Sequence, residues 1–278
     1  MKLEITQVSL STSDLYYICQ MVDQVTSDPF GWLRHIEDFA GDMSCSRLLN
    51  SFPKWTPLHE FIEFVVLSVA HEDAILTADD FLVSEGDPIE KARRGKIPWI
   101  DTLLASNGFQ HSYRKYVSSG GEESFQDYLD EMGLAGPLDE LLYGVSRQVF
   151  HVLFQNRKVL RNFGEMMVHY VASTGLSLYP DSYTERGALK RARPPVWARN
   201  AVFHRDKGCC VVCGTDLTKL INQRTQLHFD HIIPLVSGGM NDITNLQLLC
   251  SSCNLSKGGR NRNTSFRVDE WYSIEDEE

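Results

Sequence analysis

No apolar run in this 278-residue chain is long enough to cross a bilayer, because a membrane helix needs roughly 20 consecutive apolar residues. The first residues lead into no apolar core of the kind that a secretory signal contains. The sequence has neither a fixed-period repeat nor a low-complexity segment. With 42% hydrophobic and 23% charged residues, the composition argues against disordered and fibrous classes. We therefore expect a globular, cytoplasmic protein with no membrane partner.

Basic residues are too few to make the whole chain a polyanion binder, since the formal net charge is −10. The charge is unevenly distributed, however. Residues 1–195 contain 18 basic and 27 acidic side chains, whereas residues 186–267 contain 13 basic and 4 acidic ones. A basic segment on an acidic body indicates a polyanionic partner at that segment. Ordinary solvated surface charge is the alternative, and it is favoured only if no chemistry coincides with the basic segment.

The first 175 residues are predicted to form an α-helical domain. Thr56 and Pro57 are typical of a helix start, and the helix that follows should run to about Leu76. Apolar residues recur at helical spacing from Pro137 to Ser173, with Asn156 as a possible break. No catalytic group is recognisable in this half, because its histidines are scattered. We expect it to regulate, to self-associate or to dock a partner protein.

Glycine and proline interrupt the helical pattern at residues 176–195, which we interpret as a basic linker. Its cations, Arg186, Lys190, Arg191 and Arg193, either follow a nucleic-acid backbone or belong to a plain hinge. The remaining predicted divisions are a catalytic-type domain at 196–270 and an acidic tail at 271–278. The fold class is therefore α+β, with a mainly helical first domain and a small second one.

The chain has seven cysteines, and this odd number argues against a disulfide framework. Five of them lie between Cys209 and Cys253. Two Cys-x-x-Cys pairs can close a tetrahedral structural zinc site, and they comprise Cys210, Cys213, Cys250 and Cys253. Cys209 could replace Cys210, but the spacing and the turn residue Gly214 favour Cys210.

Between the two cysteine pairs the pattern predicts two strands followed by a short helix. Residues 229–233 alternate in polarity, the glycines at 238 and 239 mark a loop, and residues 246–249 suit a second strand. A helix from Ser251 completes a ββα unit. This unit resembles the ββα-metal motif of HNH endonucleases through Asp230-His231-Ile232-Ile233-Pro234, Gly238-Gly239, Asn245-Leu246, Cys253-Asn254 and Lys257-Gly258.

The chemistry of phosphodiester hydrolysis assigns roles within this unit. His231 has the ordinary pKa that suits a general base. Asp230 and Asn254 supply oxygen ligands that suit a catalytic Mg²⁺ or Mn²⁺. Adjacent strand residues point to opposite faces, so the strand must end or twist for Asp230 and His231 to serve one site. By resemblance, Asn245 pins the loop and orients the base.

DNA is the expected substrate and partner. Four cations are predicted to position it through phosphates: Lys257, Arg260, Arg262 and Arg205. The alternatives are an RNA substrate, or a non-catalytic zinc module that binds DNA or protein. Stand-alone HNH proteins with an additional domain resemble effectors of bacterial restriction or anti-phage defence, so the resemblance implies that context.

Overall fold

A computed structural model describes residues 8–32, 37, 39, 45–82, 99–108, 127–128, 137–220, 226–259, 261–262 and 264–265. Its α-helices are α1 (Thr12–Ser27), α2 (Cys45–Leu49), α3 (Pro57–Leu82), α4 (Trp99–Ser106), α5 (Pro137–Leu153), α6 (Arg157–His169), α7 (Val196–Arg205) and α8 (Ser251–Lys257). Its strands are β1 (Leu227–His231) and β2 (Leu246–Cys250). No helix in these ranges combines the length and apolar character of a bilayer span.

Shorter helical turns connect these elements. A π-helical segment, Tyr170–Gly175, continues α6 and leads into the turn Leu176–Leu178. The 3₁₀ turns are Pro29–Trp32, Pro180–Ser182, Leu235–Ser237 and Ile243–Asn245.

The predicted start of α3 and the predicted break between α5 and α6 are both confirmed. α3 begins at Pro57, directly after Thr56, and it extends beyond the predicted end to Leu82. Asn156 separates α5 from α6 because its Oδ1 accepts hydrogen bonds from Lys158 N (3.1 Å) and Val159 N (3.4 Å). These bonds satisfy amides that the first helical turn leaves unpaired.

The chain divides into two compact units. The first comprises residues 1–22 and 59–151, and the second comprises residues 23–58 and 152–278. In the first unit His59 of α3 stacks on Phe150 of α5, with ring centroids 3.9 Å apart. Burial lowers the pKa of His59 to about 3, so this histidine is neutral and serves as a core side chain.

The second unit contains the two-stranded sheet. β1 and β2 pair antiparallel, with Asp230 opposite Gln247 and His231 opposite Leu246. α8 follows β2 directly, so the predicted ββα order is confirmed. One side of the unit packs a cluster of buried apolar residues, namely Cys210, Val211, Leu217, Leu248, Leu249 and Cys250. Burial of these side chains stabilises the small sheet by roughly 25 cal/mol for each Å² of apolar surface.

The segment 176–195, interpreted from sequence as a linker, packs within the second unit. Tyr183 and Leu189 form an isolated antiparallel bridge, and the Tyr183 hydroxyl donates to the Val171 carbonyl. Lys190 N donates to Ser182 O at 2.9 Å. The segment is therefore folded against its neighbours. The domain boundaries predicted after residues 175 and 195 stay predictions.

Candidate active site

Four cysteine sulfurs converge at one edge of the sheet. The Sγ atoms of Cys210, Cys213, Cys250 and Cys253 all lie within 4.8 Å of one another. Cys213 Sγ and Cys250 Sγ are 3.7 Å apart, which matches the edge of a tetrahedron with Zn–S bonds of about 2.3 Å. Cys209 lies outside this group, with its Sγ 3.5 Å from Lys207 O. The geometry therefore selects Cys210 over Cys209 and fits a structural zinc ion.

The surroundings of these thiols favour ionisation at two of the four. Burial opposes ionisation of Cys250, but the Ser252 hydroxyl and the Cys253 amide lower its pKa to about 6. The Thr215 hydroxyl lowers the pKa of Cys213. Because zinc binds the thiolate form, these hydrogen bonds reduce the proton competition that an incoming ion meets.

Asn245 ties together the loop that connects β1 to β2. Its Oδ1 accepts from Ile233 N at 2.8 Å, and its Nδ2 donates to Ile233 O (3.0 Å) and Met240 O (2.9 Å). A Cβ at Gly239 would lie 1.9 Å from Ile233 O, so only glycine fits there. Asn245 thus fixes the loop backbone that follows His231.

His231 is the last residue of β1 and is buried. Within the described part of the chain its Nε2 is buried without a hydrogen-bond partner. Burial and the nearby Arg191 guanidinium lower the pKa of His231 to about 4, although Asp230 and Asn241 oppose the shift. The imidazole is therefore neutral at physiological pH, the form that a general base requires.

Asp230 precedes His231 and faces α8. Its Oδ2 accepts from Lys257 Nζ at 2.7 Å and from Gln247 Nε2 at 3.1 Å. Lys257 Nζ also donates to His231 O at 2.6 Å. Through these two bonds Lys257 holds the end of β1 in place and offsets the charge of Asp230. β1 ends at His231, so the alternation of side chains along a strand does not apply to the residues that follow.

Asp230 and Asn254 carry oxygens of the kind that binds a hard divalent cation. Asp230 offers a carboxylate, and the half-buried Asn254 of α8 offers an amide oxygen one helical turn before Lys257. Oxygen donors of this kind suit Mg²⁺ or Mn²⁺, which keep several non-protein ligands. Among the described residues, the four clustered cysteines form the one group in which three or more His, Cys, Asp or Glu side chains could share an ion. Asp230 belongs to no such group. A catalytic ion would therefore be held by few protein ligands.

The cations predicted to contact phosphate are mostly engaged within the protein. Lys257 bonds Asp230, and Arg262 bonds Glu165 and the Ser237 carbonyl. Arg205 is 5% exposed, so its predicted role as a phosphate contact does not agree with its position. Arg260 lies outside the described residues.

Arg205 instead belongs to a buried network that sequence reasoning missed. Its guanidinium donates to both oxygens of Asp206 at 2.9 and 3.0 Å, and Arg157 donates to the same carboxylate at 3.2 Å. Asp206 Oδ2 also accepts from Leu248 N at 2.8 Å. This network attaches α6 and α7 to β2. No local pattern signals the whole network, because Arg157 and Leu248 lie 49 and 42 residues away from Asp206.

Asn241 is a second residue that the sequence did not single out. Its Nδ2 donates to Lys190 O at 2.9 Å, and its Oδ1 accepts from Ala192 N at 3.2 Å. Its carbonyl accepts from Phe52 N at 2.8 Å. It lies in the loop that joins β1 to β2. It docks residues 190–192 against the loop beside His231.

Comparison with known proteins gives one match. Residues 210–260 match the family model described as HNH endonuclease, a range that contains all four clustered cysteines, both strands and α8. No curated protein and no solved structure matches the chain. The match indicates a nuclease of the HNH type and nucleic acid as its partner, and it leaves the other residues of the chain without a relative.

Proposed function

We propose that this chain is a metal-dependent endonuclease that hydrolyses phosphodiester bonds in DNA, with His231 as its general base. The observation that carries the proposal is the ββα unit that matches HNH endonucleases, in which His231 follows Asp230 at the end of β1 and its Nε2 has no hydrogen-bond partner among the described residues.

The protein groups divide the reaction between them. His231 accepts the proton of the attacking water at Nε2 in the tautomer whose own proton is on Nδ1, and its low pKa keeps the imidazole neutral beforehand. Asn245 holds the loop backbone so that the imidazole keeps its direction. Asp230 and Asn254 would bind Mg²⁺ or Mn²⁺, which neutralises charge on the phosphate and assists the leaving oxygen.

The zinc site supports this arrangement without reacting. Four thiolates leave no open coordination position, which is typical of structural zinc. Cys250 ends β2 and Cys253 lies in α8, so zinc would fix the angle between the sheet and the helix that carries Asn254. Loss of zinc should therefore remove the reacting centre as well as the fold around it.

The remaining part of the proposal concerns context. We assign the helical residues 1–175 to regulation, self-association or capture of a partner protein, and the whole protein to a cytoplasmic role in restriction or anti-phage defence. This assignment predicts that the full chain sediments as more than a monomer or recovers a specific partner. A strictly monomeric chain that recovers none counts against it.

The substrate is tested with plasmid DNA and a structured RNA of similar length, each incubated with Mg²⁺. We expect the parent chain to cut DNA and His231→Ala to cut neither substrate. Cleavage of RNA alone would replace DNA with RNA in the proposal. If neither is cut, and His231→Ala binds DNA as tightly as the parent, the chain is a binding module.

A further inference from the structure

We propose that Arg191 and Arg193 form the principal DNA-phosphate contact of this protein, a surface that we call the arginine ridge. The inference rests on the proposed nuclease function and identifies where the substrate backbone lies. The ridge precedes the range matched by the family model, residues 210–260, so the match does not assign it any role.

The ridge is held in a defined position beside the candidate active site. Asn241 bonds the backbone on both sides of Arg191, through Lys190 O and Ala192 N. Arg191 and Arg193 are exposed, whereas Ala192 between them is half-buried. This alternation is typical of an extended segment, in which residues i and i+2 point to the same side. Both guanidinium groups therefore face solvent from a fixed backbone.

The same hydrogen bonds attach Arg191 to the active-site loop. Asn241 lies in the loop between β1 and β2, next to Met240, whose carbonyl accepts from Asn245 Nδ2. Arg191 thus carries a positive charge on a segment that is hydrogen-bonded to the loop following His231. The same charge attracts the phosphate that the base must approach.

Four other cations of the described second unit already bond groups of the protein. Lys257 bonds Asp230, Arg262 bonds Glu165, and Arg205 bonds Asp206. Lys190 Nζ donates to Asp181 O at 2.7 Å. In the part of the chain that the structure describes, Arg191 and Arg193 have neither an ion pair nor a hydrogen bond from their guanidinium groups. Both guanidinium groups can therefore bind a polyanion without breaking a contact within the protein.

The test measures DNA binding without cleavage, using the full chain with His231→Ala as background. A fluorescently labelled DNA duplex is titrated at several salt concentrations, and Kd is taken from anisotropy. Arg191→Gln and Arg193→Gln remove one ridge charge each. The matched control is Lys158→Gln, which removes an exposed cation from α6. These side chains are exposed, so circular dichroism should give the same folded spectrum for all variants.

Each ridge substitution should reduce the slope of log K against log salt by about 0.9 and weaken binding about eightfold near 0.1 M salt, because one phosphate contact is lost. Lys158→Gln should change neither quantity. If the background chain binds DNA but both ridge variants retain its Kd and slope, the ridge is not the contact and the proposed nuclease function still stands. If the background chain binds no DNA and the parent cuts none, both proposals fail together.

Discussion

Asn245→Ala tests whether the hydrogen bonds that hold the active-site loop are needed for cleavage. The change removes three buried hydrogen bonds, to Ile233 N, Ile233 O and Met240 O. Each buried group left unpaired costs about 1–3 kcal/mol, and the loop can relax enough to recover part of that. We therefore expect the free energy of unfolding to fall by about 3–5 kcal/mol. Cleavage should fall at least about 100-fold, since a displacement near 1 Å suffices for that.

The assay combines urea unfolding with cleavage of plasmid DNA at a temperature where the variant is still folded. Zinc content, measured on the same sample, should be unchanged because the cysteine set is intact. Asn200→Ala is the matched control, since Asn200 is exposed on α7, and a change within about 0.5 kcal/mol is expected there. The reasoning is refuted if Asn245→Ala unfolds within about 1 kcal/mol of the parent and cuts at the parental rate.

Three further predictions concern buried or metal-binding groups. Asp206→Asn should lower the free energy of unfolding by about 3 kcal/mol, because a buried carboxylate that accepts four hydrogen bonds loses its charge. The control in the same urea experiment is Asp181→Asn, at an exposed position. Burial raises the pKa of Asp242 from 3.8 to about 6, so the stability of the parent falls as pH rises through this range. Asp242→Asn should therefore gain about 1 kcal/mol over the parent between pH 5 and pH 7 in urea unfolding; an equal pH slope in both proteins contradicts this. Asn254→Ala should abolish cutting while zinc content, measured by atomic absorption, stays at the parental value; an active variant removes Asn254 from the proposal.

Local patterns predicted the secondary structure of the ββα unit well. The limits of β1 and β2 fall within two residues of prediction, and α8 begins at Ser251 as expected. Asn156 was predicted as a possible helix break, and the structure gives the reason, because its side chain caps the helix that follows. The cysteine grouping was predictable because metal-ligand spacing is a property of short sequence segments.

Long-range contacts were not predictable in the same way. Arg205 was expected to meet phosphate, but Asp206 and the Leu246 carbonyl hold its side chain in the interior. Whether an arginine faces solvent depends on elements far away in sequence, and no residue type signals it. Asn241 was missed for the same reason, since its partners Lys190 and Ala192 lie about fifty residues earlier.

The claim that zinc and the catalytic ion occupy separate sites is tested most directly by one paired measurement. Zinc content and cleavage of plasmid DNA are determined on the same purified sample before and after brief treatment with EDTA, and again after addition of Mg²⁺. We predict about one zinc per chain throughout, because four thiolates bind it tightly, with cleavage lost to EDTA and restored by Mg²⁺. Full cleavage in EDTA, or recovery that requires added zinc alone, would contradict the two-site account.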